Sequence, residues 1–179
     1  MIEWLDCLDE QGVKVGLSRP RGEVHALGIW HRAVHIWFLS SDQRLLLQKR
    51  SYLCTSYPGF WDISCAGHVS AGETVMQAAK KELQEELGLS VCPSELELLF
   101  DISMTSIQNK GTYIEKEIQS VFLFRAKGFL EGISLSEEVL AIQWVPVSYF
   151  KEHYRCMIST GILVDHAEEY ERLLLALDV

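Results

Sequence analysis

The sequence predicts a single α+β domain, in which a mixed β-sheet carries helices on its faces. Segments with strand character outnumber segments with helical character along the 179 residues. The predicted helices are also far apart in the sequence, unlike the regular alternation of a doubly wound parallel sheet. A chain of this length buries a sufficient core without disulfides or structural metals. We therefore expect residues 1–179 to form one domain.

The N-terminal third of the chain predicts two β-hairpins. Residues 3–8 and 13–17 are short apolar runs around the turn-forming sequence DEQG, and an RPRG sequence then breaks the second strand. Residues 33–39 and 45–48 are rich in apolar, β-branched and aromatic side chains and flank the polar segment SSDQ, which predicts a buried second hairpin. A YPGF turn then leads into a short predicted strand at residues 61–64.

One helix has clear end signals and is predicted from Val75 to Leu87. Thr74 and Gln77 have the spacing of a capping box, and Gly88 suits the left-handed conformation that follows many helices.

The C-terminal half of the chain predicts further strands and two helices. The strands are expected at residues 96–104, 117–125 and 139–145, where β-branched and aromatic residues are common. A short helix is expected after Pro146, and an amphipathic helix over residues 162–177 closes the chain.

Composition excludes several classes of partner and location. The net charge of −9 argues against duplex nucleic acid, because affinity for it comes largely from basic residues that neutralise phosphates. The five cysteines are odd in number and include no C-x-x-C pair, which is typical of a reducing compartment. The acidic N terminus lacks the pattern of a signal peptide, and no apolar run reaches the length of a membrane span. We expect a cytoplasmic protein without a membrane partner, in which the N-terminal hairpin could serve as a homodimer interface.

The helix at residues 75–87 concentrates three carboxylates on one side. At 100° per residue, Glu82, Glu85 and Glu86 fall within an arc of roughly 100°, beside an apolar stripe. Like charges at these spacings repel one another, so the cluster favours a bound cation. Oxygen ligands of this kind suit Mg²⁺ or Mn²⁺. The alternative from charge alone is an exposed helix face, with these glutamates paired to Lys80 and Lys81.

The spacing of residues 67–89, GHVSAGETVMQAAKKELQEELGL, decides between these two interpretations. The stretch resembles the Nudix box, G-x5-E-x7-R-E-U-x-E-E-x-G-U, where U is aliphatic. One position departs from the pattern, because Lys81 replaces the arginine that braces the box, and lysine keeps the charge but lacks the planar fork. The matching residues are Gly67, Glu73, Glu82, Leu83, Glu85, Glu86, Gly88 and Leu89.

The resemblance implies a Nudix-type α/β/α sandwich that cleaves a diphosphate bond in a small nucleotide or other metabolite. It implies Mg²⁺ or Mn²⁺ bound by Glu82, Glu85, Glu86 and the carbonyl oxygen of Gly67, with Glu117 as a further candidate ligand. In such a site the metal activates water and neutralises the diphosphate. The candidate catalytic residues are Glu82, Glu85 and Glu117, while the general base could also be Glu115.

Other segments resemble one branch of the family, the Nudix hydrolases related to isopentenyl diphosphate isomerase. They are HRA at 31–33, LLLQKRS at 45–51, PGFWDIS at 58–64 and CAGH at 65–68. Arg50 follows a buried strand and could donate to a substrate phosphate, with a surface salt bridge as the alternative. His31 and His68 are candidate substrate-binding residues that would line the pocket or else brace the box loop. In the isomerase, a metal is held by residues that match His25, His31, His68, Glu115 and Glu117, so these five could form a second metal site.

Two differences favour hydrolysis over isomerisation. The reactive cysteine of the isomerase corresponds to Ala66, and Cys65 stands one residue early, which turns its side chain to the other face of a strand. The isomerase also matches only Glu86 of the three box glutamates. An isomerase and a non-catalytic sensor of nucleotide metabolites remain the alternatives, and the substrate itself stays open.

Overall fold

The computed structural model describes residues 2–126 and 132–178 of the chain. Within these residues, nine strands and four α-helices confirm the predicted α+β class. No helix in the described ranges is long and apolar enough to cross a membrane. The elements are β1 (Trp4–Leu8), β2 (Lys14–Pro20), α1 (Arg21–Leu27), β3 (His31–Ser40), β4 (Arg44–Arg50), β5 (Trp61–Asp62), β6 (Cys65–His68), α2 (Val75–Leu87), β7 (Leu96–Gln108), β8 (Tyr113–Ala126), β9 (Val139–Pro146), α3 (Val147–Ser159) and α4 (Ala167–Ala176).

Seven of the described strands form one mixed sheet, and β1 and β2 form the predicted N-terminal hairpin beside it. The order along the sheet is β5-β4-β3-β8-β7, with β6 paired to β3 and β9 paired to β4. Strands β3 and β8 run parallel over their whole paired length, and the other neighbours run antiparallel. On the hairpin, Val13, Val15 and Leu17 are exposed, and a role for this surface in a homodimer stays a prediction.

The sheet divides between β4 and β6. The predicted β3–β4 hairpin is present, but its strands pair only at Leu39 and Leu45. Nearer its N terminus, β3 pairs with β6 over Ala33 to Ile36 instead, while β8 occupies the opposite edge of β3 throughout. Because β4 and β6 share one edge of β3 without pairing to each other, they leave an opening in the sheet.

Alternate residues of β3 pack into apolar clusters on both faces of the sheet. On one face Trp37 packs with Phe150 of α3 and Tyr170 of α4. On the other face Phe38 packs with Leu83 of α2. Because side chains of a strand alternate between faces, β3 anchors helices on both sides, which confirms the predicted α/β/α layering.

Helix α2 has the predicted ends. It spans Val75 to Leu87, and the Thr74 hydroxyl accepts a hydrogen bond from the Gln77 amide while the Gln77 side chain accepts one from the Thr74 amide. Gly88 adopts the left-handed conformation, with φ of 68°, and its amide donates to the Gln84 carbonyl. Local capping chemistry was therefore sufficient to place this helix.

The RPRG segment ends the second strand, as expected, but it also begins a helix that was not predicted. Strand β2 continues through Pro20, and the unpredicted helix α1 follows directly at Arg21–Leu27. Seven residues are too few to display the apolar periodicity by which a helix is recognised.

The second departure concerns the C-terminal helices. The helix after Pro146 is 13 residues long rather than short. The closing helix begins at Ala167 instead of residue 162, because the preceding residues are extended beside β5. There the Trp61 amide donates to the Ile162 carbonyl at 2.8 Å, and the Val164 amide donates to the Trp61 carbonyl at 2.9 Å.

The remaining departure is the strand predicted at residues 61–64, which is shorter than expected. Strand β5 ends at Asp62, and Ser64 lies between β5 and β6. The Ser64 hydroxyl donates to the Leu46 carbonyl and accepts from the Phe38 amide, so its side chain replaces a backbone ladder at this point.

A buried polar cluster fastens α4 to the sheet. The Glu169 carboxylate is 1% exposed, and it accepts hydrogen bonds from Nδ1 of His35 and from Nε1 of Trp37, each at 2.7 Å. Nε2 of His166, just before α4, lies 3.3 Å from the Asp62 carboxylate on β5. Burial alone would lower the pKa of His166, but the hydrogen bond and charge of Asp62 outweigh it and raise that pKa to about 9.

Because of this pKa, the fold is expected to lose stability as the pH becomes alkaline. The folded-state pKa of His166 lies above the unfolded value near 6.5, so its contribution is fully present below about pH 6.5 and is lost as pH rises through about 9. We expect the free energy of unfolding to fall by about 2 kcal/mol more between pH 7 and pH 10 in the natural chain than in a His166→Asn variant. Urea unfolding at several pH values measures this difference, with His153→Asn on α3 as the control. Equal slopes for all three proteins would contradict the assignment.

Candidate active site

A cleft of about 580 Å³ occupies the opening between β4 and β6. Its volume is within the range of small-molecule sites. Strand β4 contributes Gln48 and Arg50, strand β6 contributes residues 66–68, and α2 contributes the three box glutamates. Most of the sequence-predicted site residues therefore meet in one place, although they come from distant parts of the chain. His31 is the exception, because it is fully buried and does not line the cleft.

Helix α2 brings its carboxylates to the cleft because its apolar side is fixed in the core. Leu83 and Leu87 are fully buried, while the neighbouring Glu86 is 7% exposed at the edge of the cleft. The Gln48 side-chain amide donates to Oε2 of Glu86 at 3.2 Å, and the Ala66 backbone amide donates to the same atom at 3.4 Å. These contacts hold the buried carboxyl between the two diverging strands.

Gly67 is required where β6 passes α2. A β-carbon added at this position would overlap with the Glu82 carboxyl group. The absence of a side chain therefore allows the carboxyl to approach the β6 backbone, which is the usual reason for a glycine within a strand.

The box carboxyls lack sufficient positive charge within the described protein. Burial raises the pKa of Glu82 to about 8, a shift opposed by Lys81 and reinforced by Glu86 and Glu85. Burial likewise raises the pKa of Glu86 to about 7. Glu85 is exposed at the rim. These oxygen donors line one cleft and two of them are partly desolvated, which is the ligand chemistry that suits a hard divalent cation.

Lys81 makes the contact with Glu73 that the resemblance implies for the arginine position of the box. Its ammonium group lies 3.3 Å from the Glu73 carboxylate, 3.4 Å from the Glu82 carboxylate and 3.1 Å from the Ser70 hydroxyl. Glu73 in turn accepts a hydrogen bond from the Ser70 amide. The lysine thus connects the loop before α2 to the helix, although without the bidentate geometry of a guanidinium group.

Three histidines gather beside the cleft, of which His68 lines the cleft itself. His25, His31 and His68 place one ring nitrogen each within 4.8 Å of the others. Burial lowers the pKa of His25 to about 3 and that of His68 to about 4, so both rings are neutral, the form that binds metals. Nε2 of His31 is buried without a hydrogen-bond partner and lies 3.4 Å from Glu117. The three histidines and Glu117, four of the five residues expected from the isomerase resemblance, therefore lie together.

Glu117 and Glu115 have different environments. Burial would raise the pKa of Glu117, but the adjacent His31 and His68 rings, whose Nε2 atoms lie 3.4 Å and 3.5 Å from its carboxylate, hold that pKa well below its ordinary value. Burial and the charge of Glu117 raise the pKa of Glu115 to about 7. A carboxylate with a depressed pKa is a weak base, so these environments favour Glu115 over Glu117 for proton abstraction.

Arg50 is less free than expected for a phosphate ligand. Its Nε donates to the Ser56 carbonyl at 2.9 Å, one terminal nitrogen donates to the Ser56 hydroxyl at 2.9 Å, and the other donates to the Asp62 carboxylate at 3.1 Å. Three of its five N–H groups are therefore used within the protein. The guanidinium still lines the cleft and adds positive charge there.

The residues that sequence reasoning missed lie on the opposite wall of the cleft. They are the His35–Glu169 pair and the His166–Asp62 pair described above, of which His35, His166 and Asp62 line the cleft. Two signals in the sequence could have pointed to them. His35 has the same parity as His31 on β3, and Glu169 stands four residues before the buried Leu173 on α4.

Cys65 does not line the cleft. Its side chain is fully buried in the apolar cluster beneath α2, where the thiol forms a hydrogen bond with the Glu86 carboxyl, and Ala66 lines the cleft in its place. All five cysteines are free thiols.

Comparison with known proteins gives a consistent family. A model of the NUDIX domain matches residues 29–157. The chain is 44% identical over 161 residues to Nudix hydrolase 3 of Arabidopsis thaliana, which covers 88% of this chain but only 20% of that protein. It is 32% identical over 147 residues to the isopentenyl-diphosphate Delta-isomerase of Serratia proteamaculans, which covers 82% of this chain and 78% of that protein.

Among solved structures, DR0079 from Deinococcus radiodurans has a similar fold. The TM-score is 0.72 with 23% identity, over 95% of this chain and 98% of that chain. The chain therefore belongs to the Nudix family, in a branch whose relatives include proteins named isopentenyl-diphosphate isomerase.

Proposed function

We propose that this chain is a divalent-metal-dependent hydrolase of a diphosphate bond in a small metabolite. The observation that supports this most is the convergence of Glu82, Glu85 and Glu86 on a single cleft, where burial raises the pKa of two of the carboxyls and the charges of Glu86 and Glu85 add to the shift of Glu82. Bound Mg²⁺ or Mn²⁺ would neutralise both the glutamates and the diphosphate and would lower the pKa of water.

The chain's own residues would have distinct roles in this reaction. Glu82, Glu85, Glu86 and the Gly67 carbonyl would hold the ion, and Lys81 would brace the box. Arg50, with two N–H groups not used by Ser56 or Asp62, would contact a phosphate oxygen. Glu115 would accept a proton within the cleft, a role that its raised pKa supports better than the environment of Glu117 does.

Substitution of the box glutamates tests the proposed function. We expect Glu82→Gln and Glu86→Gln to lower kcat/KM by more than about 100-fold, because each amide removes one anionic ligand. Activity is measured as release of phosphate or monophosphate from a panel of nucleotide sugars, ADP-ribose, dinucleotides, coenzyme A and isoprenyl diphosphates, with Mg²⁺ or Mn²⁺ in excess. Glu152→Gln, an exposed position on α3, is the matched control. Failure of the natural chain to hydrolyse any member, or full activity of both box variants, would refute the proposal.

The contact between Gly67 and Glu82 gives a second test. We expect Gly67→Ala to weaken Mn²⁺ binding at least roughly tenfold, because the added methyl group displaces a ligand carboxyl from the site. Calorimetric titration with Mn²⁺ measures this change without substrate. Gly22→Ala is the control, since a methyl group there meets open space. Unchanged Mn²⁺ affinity in a folded Gly67→Ala protein would remove the Glu82 carboxyl from the metal site.

The histidine cluster favours a second candidate function, an isomerase-like activity on isopentenyl diphosphate. His25, His31 and His68 stand together beside Glu117, as the resemblance to the isomerase leads one to expect. The burial of Cys65 away from the cleft argues against it, because the reactive cysteine of that enzyme would be missing.

Metal content distinguishes the two sites. If the histidines hold a second ion, we expect the purified natural chain to bind one more equivalent of Mn²⁺ or Zn²⁺ than His31→Asn does, while Glu82→Gln loses a different equivalent. Equal stoichiometry in the natural chain and in His31→Asn would exclude the second site. Conversion of isopentenyl to dimethylallyl diphosphate that survives Glu82→Gln would establish the isomerase instead of the hydrolase.

A further inference from the structure

On the wall of the cleft opposite α2, a hydrogen bond to Glu169 holds the ring of His35 in one orientation. His35 lines the cleft and is only 4% exposed, and its Nδ1 is bonded to the Glu169 carboxylate at 2.7 Å. No described residue forms a hydrogen bond with its Nε2. His35 is paired across the sheet with Ala66, the neighbour of Gly67, so it lies beside the box loop.

We propose that His35 is a specificity-determining residue that accepts a hydrogen bond from a hydroxyl group of the substrate. The inference rests on the proposed function and narrows it. The group attached to the diphosphate would be hydroxylated, as a ribose or another sugar is.

The contact with Glu169 determines which nitrogen of the His35 ring carries the proton. Glu169 accepts from Trp37 through Oε1 and from His35 through Oε2. Its pKa is held below the ordinary value, since the contacts with His35, His166 and Trp37 outweigh the effect of burial, so it is an acceptor only. In the neutral form of the His35 ring the proton therefore lies on Nδ1, where Glu169 accepts it, and Nε2 keeps a lone pair.

The lone pair at Nε2 of His35 restricts which chemical group of a substrate can form a hydrogen bond there. A lone pair at Nε2 needs a donor, and a phosphate oxygen at neutral pH offers only further lone pairs. A hydroxyl group is the usual donor on a metabolite. A site built to bond a hydroxyl discriminates strongly against analogues that lack it, because its buried polar group is then unpaired. The hydrocarbon chain of an isoprenyl diphosphate offers no such donor.

The residue that positions His35 lies in the C-terminal part of the chain. Glu169 and His166 lie after residue 157, where the match to the family model ends. The positioning of His35 thus depends on helix α4, an element outside the matched domain. Glu169 acts here as a positioning residue, because it acts through His35 and not on the substrate.

The position of the ring proton provides a test that needs no turnover. Long-range ¹H–¹⁵N NMR correlation of the natural chain at pH 8 is expected to find the His35 proton on Nδ1. In Glu169→Gln, the amide oxygen must serve Trp37, whose Nε1 can only donate, so the amide NH₂ faces His35. We expect the proton to move to Nε2 in that variant. A proton on Nε2, or on both ring nitrogens, in the natural chain would overturn the proposal. Binding of added Zn²⁺ to Nδ1 would also overturn it, because Nδ1 could then not carry the proton.

Ligand titration tests the hydroxyl contact in the same spectra. Addition of ADP-ribose or a nucleotide sugar is expected to shift the His35 Nε2 signal, whereas P1,P2-dimethyl diphosphate, which has no hydroxyl group, is expected to leave it unchanged. Calorimetry confirms that each ligand is bound. Identical responses to bound hydroxylated and hydroxyl-free ligands would reject the inference.

Kinetics separates this inference from the proposed function. His35→Leu is expected to raise KM for the hydroxylated substrates roughly tenfold, with a smaller change in kcat and no change for dimethyl diphosphate. His153→Leu on α3 is the control. If the natural chain hydrolyses no substrate while the NMR shifts are as expected, the proposed hydrolase function is rejected and the hydroxyl contact of His35 is kept. If hydrolysis is normal and His35→Leu affects all substrates equally, only the hydroxyl contact is rejected. Glu169→Gln covers the case in which His35→Leu does not fold.

Discussion

The burial of carboxylates at the edge of α2 is the constraint on which the site depends. Leu83 and Leu87 fix one side of the helix in the core, so Glu82 and Glu86 are placed in the cleft whether or not their charges are balanced. Desolvation of a carboxylate without a partner is unfavourable. The surrounding features reduce this penalty locally, through the Gln48 amide, the Ala66 backbone and the Lys81 ammonium group. The raised pKa values indicate that this compensation is incomplete.

The topology of β3 explains how two chemically different walls face each other. One edge of β3 is shared by β4 and β6, which diverge, and the opening lets side chains from α2 approach those of the opposite face. On that face, His31 and His35 have the same alternation as Trp37, which packs against α3 and α4. The strand that organises the core therefore also carries His35 into the cleft, at the point where apolar packing gives way to polar contacts.

The sequence predicted best what depends on neighbours in the chain. Helix α2 and its caps followed from local hydrogen-bond chemistry, and the spacing of the box identified the carboxylate site. The contacts that could not be predicted join distant residues. The His35–Glu169 bond spans 134 positions, and the parallel pairing of β3 with β8 has no local signature. The start of α4 was misplaced for the same reason, since residues 162–164 follow the backbone of Trp61 instead of their helical pattern.

A comparison of the two charged clusters indicates where a cation is needed. Around α4, the carboxylates of Asp62 and Glu169 face the guanidinium of Arg50 and the His166 ring, whose pKa of about 9 makes it cationic at neutral pH. That cluster is balanced by its own side chains, and the pKa values of its carboxyls are accordingly lowered.

The box cluster has the opposite balance. Lys81 contacts only Glu82 among the three glutamates, and the pKa values of Glu82 and Glu86 are raised instead of lowered. Burial is the largest cause of both shifts, and the charges of Lys81 and Arg50 offset it only in part. An external cation would gain most at the box. The α4 cluster, already neutral, is suited to hold ring orientations and to select an uncharged polar group such as a hydroxyl.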